Sequence, residues 1–266
     1  MSDRPIVIRN TKLSRRWVLE LLWRLALHRV NLRYKETFFG FGWILLQPVA
    51  LTVIFTYVFH RFARITTGIP YPLFSATGLV AWSLTALVVS QSVVSLTSNA
   101  VLLKRVALPR MLLPLSIVLA SVVDLCVMAA LLLALMAYYH SAPTWAALWI
   151  VPLLGLHLGF LVGVSCLASL ITVFVRDISQ AIVALLQLWF FASPVFYPIA
   201  LVPSEFKTLA RWNPMTGLIE SYRSVLLAGQ PPPMDLIGPT VLVTMTTLVL
   251  GLWAFRSLEG SVTDLL

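Results

Sequence analysis

Polar and apolar positions fall into long blocks along this chain. No Asp, Glu, Lys or Arg occurs in residues 37–60, 65–103, 125–175, 178–204 or 236–255. About 20 predominantly apolar residues suffice for a helix to cross a bilayer, so every window can hold a span. The window 125–175 is too long for one and is broken at His140-Ser141-Ala142-Pro143, where polar residues and a proline interrupt the run. The pattern predicts six spans, at about 41–60, 74–98, 111–138, 147–174, 180–197 and 236–255. A seventh at 209–229 is rejected because Arg211, Asn213, Pro214, Glu220, Arg223 and Gln230 fall in or beside it. A short re-entrant or membrane-surface helix suits that stretch better.

Residues 12–32 read as a helix of another kind. Trp17, Leu21, Leu25 and Leu32 share one face, while Arg16, Glu20 and Arg24 form an i, i+4 charge ladder on another. Mixed Trp, Leu and Arg suit a helix lying in the membrane interface; packing on a partner is the other reading. Arg15, Arg16, Arg24, Arg29 and Arg33 interrupt any apolar core that a cleavable signal peptide would need.

Composition agrees with the blocks. The 266 residues are 59% hydrophobic and only 11% charged, against roughly 25% charged in soluble domains, and the mean hydropathy is +0.92. A soluble enzyme is excluded, as is disorder. The net charge of +9 could suggest nucleic acid, but its placement argues for a membrane. Nine basic residues lie in the first 36 positions, and Lys104, Arg105, Arg110, Arg176 and Arg256 fall on the same side of a six-span topology. Arg61, Arg64, Lys207, Arg211 and Arg223 fall on the other. The positive-inside rule then puts both termini in the cytoplasm.

The chain carries no G-x-x-x-x-G-K-[ST], H-E-x-x-H or G-x-S-x-G motif, so phosphate-loop, zinc-protease and serine-hydrolase chemistry have no sequence basis. Cys126 and Cys166 lie in apolar spans without metal-ligand spacing and read as small core residues. His28, His60, His140 and His157 stand singly; His157, at membrane depth, reads as a hydrogen-bonding residue between helices. No metal site is expected. Asp124 is the one intramembrane carboxylate and has no cationic partner within its own span. That is too little for a proton-coupled carrier and points to a structural or pore-lining role. A membrane-embedded transferase would need a longer cytoplasmic loop than any between these spans.

Four segments resemble, in order, the ABC-2 type permeases that export polysaccharides. They are Leu32-Arg33-Tyr34-Lys35-Glu36-Thr37-Phe38-Phe39-Gly40-Phe41-Gly42-Trp43-Ile44-Leu45-Leu46-Gln47-Pro48 before and into the first span, Lys104-Arg105-Val106-Ala107-Leu108-Pro109-Arg110 between spans two and three, Val175-Arg176-Asp177-Ile178 between spans four and five, and Asn213-Pro214-Met215-Thr216-Gly217 with Tyr222-Arg223 before span six. The O-antigen and teichoic acid permeases are most similar, the capsule permeases more distantly. The resemblance implies an all-α membrane protein with six transmembrane helices in residues 37–266, both termini inside, an interfacial amphipathic helix in 1–36 and external gate helices before the last span. It implies a homodimer in a bacterial inner membrane that exports lipid-linked polysaccharide with two copies of a cytoplasmic P-loop ATPase. ATP and Mg would be bound by that ATPase, with no cofactor in this chain and no nucleic-acid partner. An exporter of a drug or small lipid is the alternative within the family.

The resemblance also implies roles. Lys104, Arg105, Pro109 and Arg110 would form a coupling helix against the ATPase, with Arg176 and Asp177 as a second contact. Enforcing topology is the competing reading of the basic residues and is compatible with coupling, and N-capping of span five accounts for Asp177 equally well. Arg33, Tyr34 and Lys35 are candidates for recruiting the substrate pyrophosphate at the cytoplasmic mouth. Trp43, Tyr57, Trp82, Trp189, Phe190, Phe196 and Tyr197 are candidates for a glycan-lining channel, since aromatic faces stack on sugar C–H surfaces; an interfacial aromatic belt or plain packing is the competing reading. Arg211, Asn213, Glu220 and Arg223 are the candidates for the external gate.

Overall fold

The computed structural model describes residues 15–35, 40, 42–62, 67–105, 108–175 and 177–265, with the side chains of 60, 61, 105 and 261–265 left undescribed. Arg176 and the Arg105 side chain therefore lie outside the described residues, as do residues 1–14 of the basic N-terminal segment.

Among the described residues the chain is helical and contains no strand. Ten α-helices follow in order: α1 Arg15–Tyr34, α2 Gly42–Phe55, α3 Tyr71–Val93, α4 Ala100–Arg105, α5 Leu112–Tyr138, α6 Ile150–Phe174, α7 Ile178–Ala192, α8 Lys207–Trp212, α9 Pro214–Leu226 and α10 Met234–Leu265. A π-helix, Thr56–Phe62, continues α2. Five stretches are long and apolar enough to cross a membrane: Gly42–Phe59, Tyr71–Val93, Leu112–Tyr138, Trp145–Phe174 and Met234–Gly260. They fall where hydropathy predicts spans one to four and six, although α10 runs well past residue 255.

The stretch expected to be span five differs. α7 has 15 residues, about 22 Å at 1.5 Å per residue, short of a hydrocarbon core of about 30 Å. The predicted end at 197 fails because Ser193 turns extended and Pro194 follows it; proline cannot donate to the helix ladder and biases the residue before it away from the helical region. Apolar character continues through Val195 and Phe196, which is why hydropathy alone overruns the helix.

α3 is the hub. Of its apolar window 78% is buried, against 11% for that of α2. It packs on α2, α5, α6, α7 and α9, and Leu79, Leu84, Val88 and Leu96 beyond its end are fully enclosed. α6 and α10 form the most extensive helix pair. Their backbones nearly touch where Gly163 faces Thr247, Leu248 and Gly251, the close approach that small residues permit in apolar surroundings.

α8 and α9 make a hairpin whose tip is Asn213-Pro214. α9 runs antiparallel to α3. Arg223 reaches the Phe74 carbonyl at 3.2 Å, and at the other end Thr85 Oγ1 lies 3.3 Å from Met215 Sδ. Thr85 is about 21 Å along α3 from Tyr71, so the hairpin tip is inserted deep beside the hub helix.

α1 forms where helical spacing predicts it, with Glu20 and Arg24 paired at 2.6 Å on an exposed face. Its inner face packs along α5. Arg29 donates to Ser116 Oγ at 2.8 Å, while Trp23, Leu27 and Leu32 point outward. One core expectation is corrected: Cys166 is buried, but Cys126 is exposed on the outer face of α5, because its position falls opposite the stripe of Ser121, Asp124 and Met128 that faces the protein.

Candidate functional site

A cleft of about 690 Å³ between α2, α3 and α7 joins several of the candidate residues. Trp43 and Gln47 line it from α2, Trp82 and Ser83 from α3, and Gln187 and Phe190 from α7. Arg33 and Tyr34, at the end of α1, close one end. Four candidates from separate segments, Arg33, Trp43, Trp82 and Phe190, thus meet around one space. The Trp82 ring lies 5.5 Å from that of Phe190 and 5.4 Å from that of Trp189. Aromatic walls, amide side chains and one cationic end suit an amphipathic, anionic ligand: ring faces take apolar C–H surfaces, amides take hydroxyls, and a guanidinium takes phosphate oxygens.

That cationic end is itself held. Asp124 is fully buried on α5 and accepts hydrogen bonds from both Arg33 and Tyr34. Arg33 Nη2 also donates to Gln91 Oε1 on α3 at 2.7 Å. Burial, and then the bond to Asp124, push the Tyr34 hydroxyl up to about 12, so it remains a donor at neutral pH. The partner that Asp124 lacks in its own span comes from 91 positions earlier in the chain. The available signal was the isolated carboxylate: a charge buried in apolar surroundings requires a counter-charge or strong donors somewhere in the fold. Lys35 is exposed beside the cluster.

The remaining aromatic candidates divide. Trp189 and Tyr197 line a second cleft of about 700 Å³ between α7 and the hairpin, with Phe206, Trp212 and Asn213. Tyr57 lines a third of about 460 Å³ between α2, α3 and α5. Phe196 is buried and packs with Phe55, Phe59 and Phe190 at ring separations of 4.9–5.7 Å; it supports the aromatic wall from behind.

The gate candidates are mostly ties. Asn213 takes the N-cap of α9, its Oδ1 accepting from Met215 N at 3.1 Å and from Trp189 Nε1 at 2.9 Å. Its amide donates to Ser193 Oγ at 3.0 Å. Asn at the N-cap followed by proline at the first helical position satisfies the helix start twice over. Asn213→Ala therefore loses a cap, about 1 kcal/mol, and leaves the indole N–H of Trp189 unmatched at about 1–3 kcal/mol more. Thermal unfolding in detergent should show the loss, and Trp189→Phe in the Asn213→Ala background should restore part of it; a wild-type transition for the single variant would refute the tie. Glu220 pairs with Arg223 at 2.8 Å, and Arg223 is buried. Arg211 is exposed on α8.

His157 bridges α6 to the hairpin as expected for a lone membrane-depth histidine. Nε2 lies 2.8 Å from Thr85 Oγ1 and Nδ1 3.4 Å from Tyr222 Oη. Among the described residues no group of His, Cys, Asp or Glu is placed to hold a metal.

Residues 20–227 match the family model for the ABC-2 type transporter. The chain belongs to the ABC-2 type transporter family. It is 28% identical over 244 residues to the O-antigen export system permease protein RfbA of Myxococcus xanthus, covering 91% of this chain and 92% of that one. It is 25% identical over 215 residues to an RfbA of Klebsiella pneumoniae, covering 80% and 82%. The polysialic acid transport protein KpsM of Escherichia coli is 23% identical over 243 residues, covering 88% and 92%.

In this ABC-2 chain the loop between α4 and α5 is anchored at one end. The Arg110 backbone N–H donates to Glu259 Oε1 at 3.1 Å, and its guanidinium reaches the Glu259 carbonyl, which ties the loop to the end of α10. Lys104 is exposed and Pro109 half-buried. Asp177 is exposed at the start of α7 but does not cap it with its side chain. It has helical backbone angles, whereas a capping side chain needs the extended conformation that turns its oxygen back towards the helix.

Proposed function

We propose that this chain is the permease subunit of an ATP-driven exporter of lipid-linked, O-antigen-like polysaccharide. The observation that carries the reading is the aromatic-walled cleft with Arg33 at its end, in a chain whose relatives are named as O-antigen and polysialic acid transporters. Saccharide units would slide along Trp43, Trp82 and Phe190, and the lipid-linked phosphate would be met at Arg33, Tyr34 and Lys35. Two copies would assemble so that cleft faces line one channel, with Trp189, Tyr197 and the α8–α9 hairpin towards its external end.

The same proposal counts six membrane crossings, α7 serving as a short one that the hairpin completes, with both termini in the cytoplasm of a bacterium. The α4–α5 loop, with Lys104, Arg105, Pro109 and Arg110, and the turn at Arg176-Asp177 would receive two ATPase subunits, which supply ATP and Mg chemistry. The tie from Arg110 to Glu259 supports this, since a loop that transmits force has to be anchored to the helices it moves.

Chromosomal deletion should abolish a surface polysaccharide and leave lipid-linked glycan inside the cell, and an affinity-tagged copy should restore export and retain a P-loop ATPase on purification. A deletion strain with every surface polysaccharide intact would defeat the proposal.

A further inference from the structure

We infer that Asp124 makes the cleft selective: by holding Arg33, it lets a doubly charged pyrophosphate on an apolar tail draw the guanidinium away and denies the site to singly charged lipid headgroups. The inference rests on the reading of Arg33 as the headgroup contact. Its structural basis is the division of Arg33 between two environments. The Arg33 side chain is 20% exposed and borders the cleft, while its carboxylate partner is 0% exposed. Gln91 holds the guanidinium from a second side.

A charge buried this deeply is costly to leave unpaired. An anion arriving in the cleft therefore competes with Asp124 for the same guanidinium donors. If Arg33 swings to the ligand, Asp124 keeps the Tyr34 hydroxyl, which softens the loss without cancelling it. A phosphodiester headgroup carries one negative charge, the same as Asp124, and is better solvated where it already lies, so it gains nothing by the exchange. A terminal pyrophosphate carries at least two and offers more acceptor oxygens to a forked donor. The distinction is needed because a bacterial bilayer presents headgroups of net charge −1, such as phosphatidylglycerol, in great excess, and an unopposed arginine at a lipid-accessible cleft would be occupied by them continuously; phosphatidylcholine, whose choline cation neutralises its own phosphate, competes far less. Tightness for the correct ligand is sacrificed for discrimination, since the apparent affinity falls by the fraction of protein in which Arg33 is free.

The test uses the full chain in phosphatidylcholine nanodiscs, with farnesyl pyrophosphate as the probe and tryptophan fluorescence as the signal, Trp43 and Trp82 lining the cleft. Wild type should bind the probe, fail to bind farnesol, and bind equally well when phosphatidylglycerol replaces part of the phosphatidylcholine. Arg33→Gln should lose binding. Asp124→Asn, isosteric and still able to accept from Tyr34, should bind the probe about tenfold more tightly in phosphatidylcholine and lose that gain when phosphatidylglycerol is present. Gln91→Leu, which leaves the buried pair intact, should shift both readings the same way by a smaller factor and stands in if Asp124→Asn does not fold. Folded variants that keep wild-type affinity and wild-type indifference to phosphatidylglycerol would overturn selectivity by Asp124. Failure of wild type to bind the probe would overturn the headgroup role of Arg33 as well.

Discussion

Arg223→Ala is expected to give a chain that inserts but does not hold its tertiary fold. The guanidinium is 5% exposed and ties three segments. Nε donates to Phe74 O on α3 at 3.2 Å, Nη1 to Pro194 O at 2.7 Å, and Nη2 to Val195 O at 2.6 Å. Nη1 also reaches Glu220 at 2.8 Å, and the cation lies 3.4 Å from the Phe74 ring centroid. Space for this group is made by Gly78, where a Cβ would meet Val195 O and Arg223 Nη2 at 2.6 and 2.8 Å. The carbonyls of Pro194 and Val195 follow the end of α7, so neither accepts within a helix. Removing the side chain orphans them and strips Glu220 of its cation, at about 3–5 kcal/mol for a broken buried charge network. Lysine cannot replace the fork, so Arg223→Lys should recover only a minor part. Arg211→Ala, on the exposed face of α8, should stay within about 0.5 kcal/mol of wild type. Fluorescence-detected gel filtration after stepwise heating measures all three. A monodisperse Arg223→Ala peak surviving to the wild-type temperature would show that the corner holds without its cation.

The second large effect is expected at Gly163. A Cβ there would lie 2.6 Å from Leu248 N and from the Thr247 carbonyl carbon and oxygen, and one at Gly251 would lie 2.5 Å from Gly163 O. These obstacles are backbone, so no rotamer change relieves them and α6 and α10 have to separate. Overpacking typically costs about 1–3 kcal/mol, and Gly163→Leu should exceed Gly163→Ala because the whole seam opens. Gly155 lies two helical turns earlier on the same helix, and a Cβ there meets nothing within 4 Å. Gly155→Leu is therefore the matched control and should leave the detergent stability of the chain unchanged. Helix propensity favours leucine over glycine at both positions, so equal losses at the two glycines would mean that something other than the seam sets the cost.

The contrast between these glycines shows where sequence reasoning stops. Gly155, Gly159 and Gly163 recur at the same spacing, and nothing in that spacing says which one meets another backbone. Hydropathy located α3, α5 and α6 to within a few residues because bilayer thickness and the cost of burying charge act on every span locally. It overran α7 because apolar residues continue past the Ser193-Pro194 break. It was silent on Arg33 with Asp124, on Trp189 with Asn213 and on Arg223 with the α7 corner, since these ties depend on which helices become neighbours. Trp43, Trp82 and Phe190 could be named as aromatic candidates from sequence, yet their convergence on one cleft, and the separate placement of Tyr57, required the packing.

The Arg223 tie also sets an order of events during synthesis. Its donor and the Phe74 carbonyl are separated by 149 positions, and Tyr71 waits 125 for the Phe196 carbonyl it bonds. α3 thus leaves the ribosome long before α9 exists. While nearly half of the chain is made, the most enclosed helix of the finished molecule lacks its α9 neighbour, and the hydroxyls of Ser75, Thr77 and Thr85 turn back onto carbonyls of their own helix. Those local bonds make the wait tolerable in hydrocarbon. The corner between α3, the end of α7 and α9 can close only once the last fifth of the chain emerges, and the residues that close it are the ones that seat the α8–α9 hairpin.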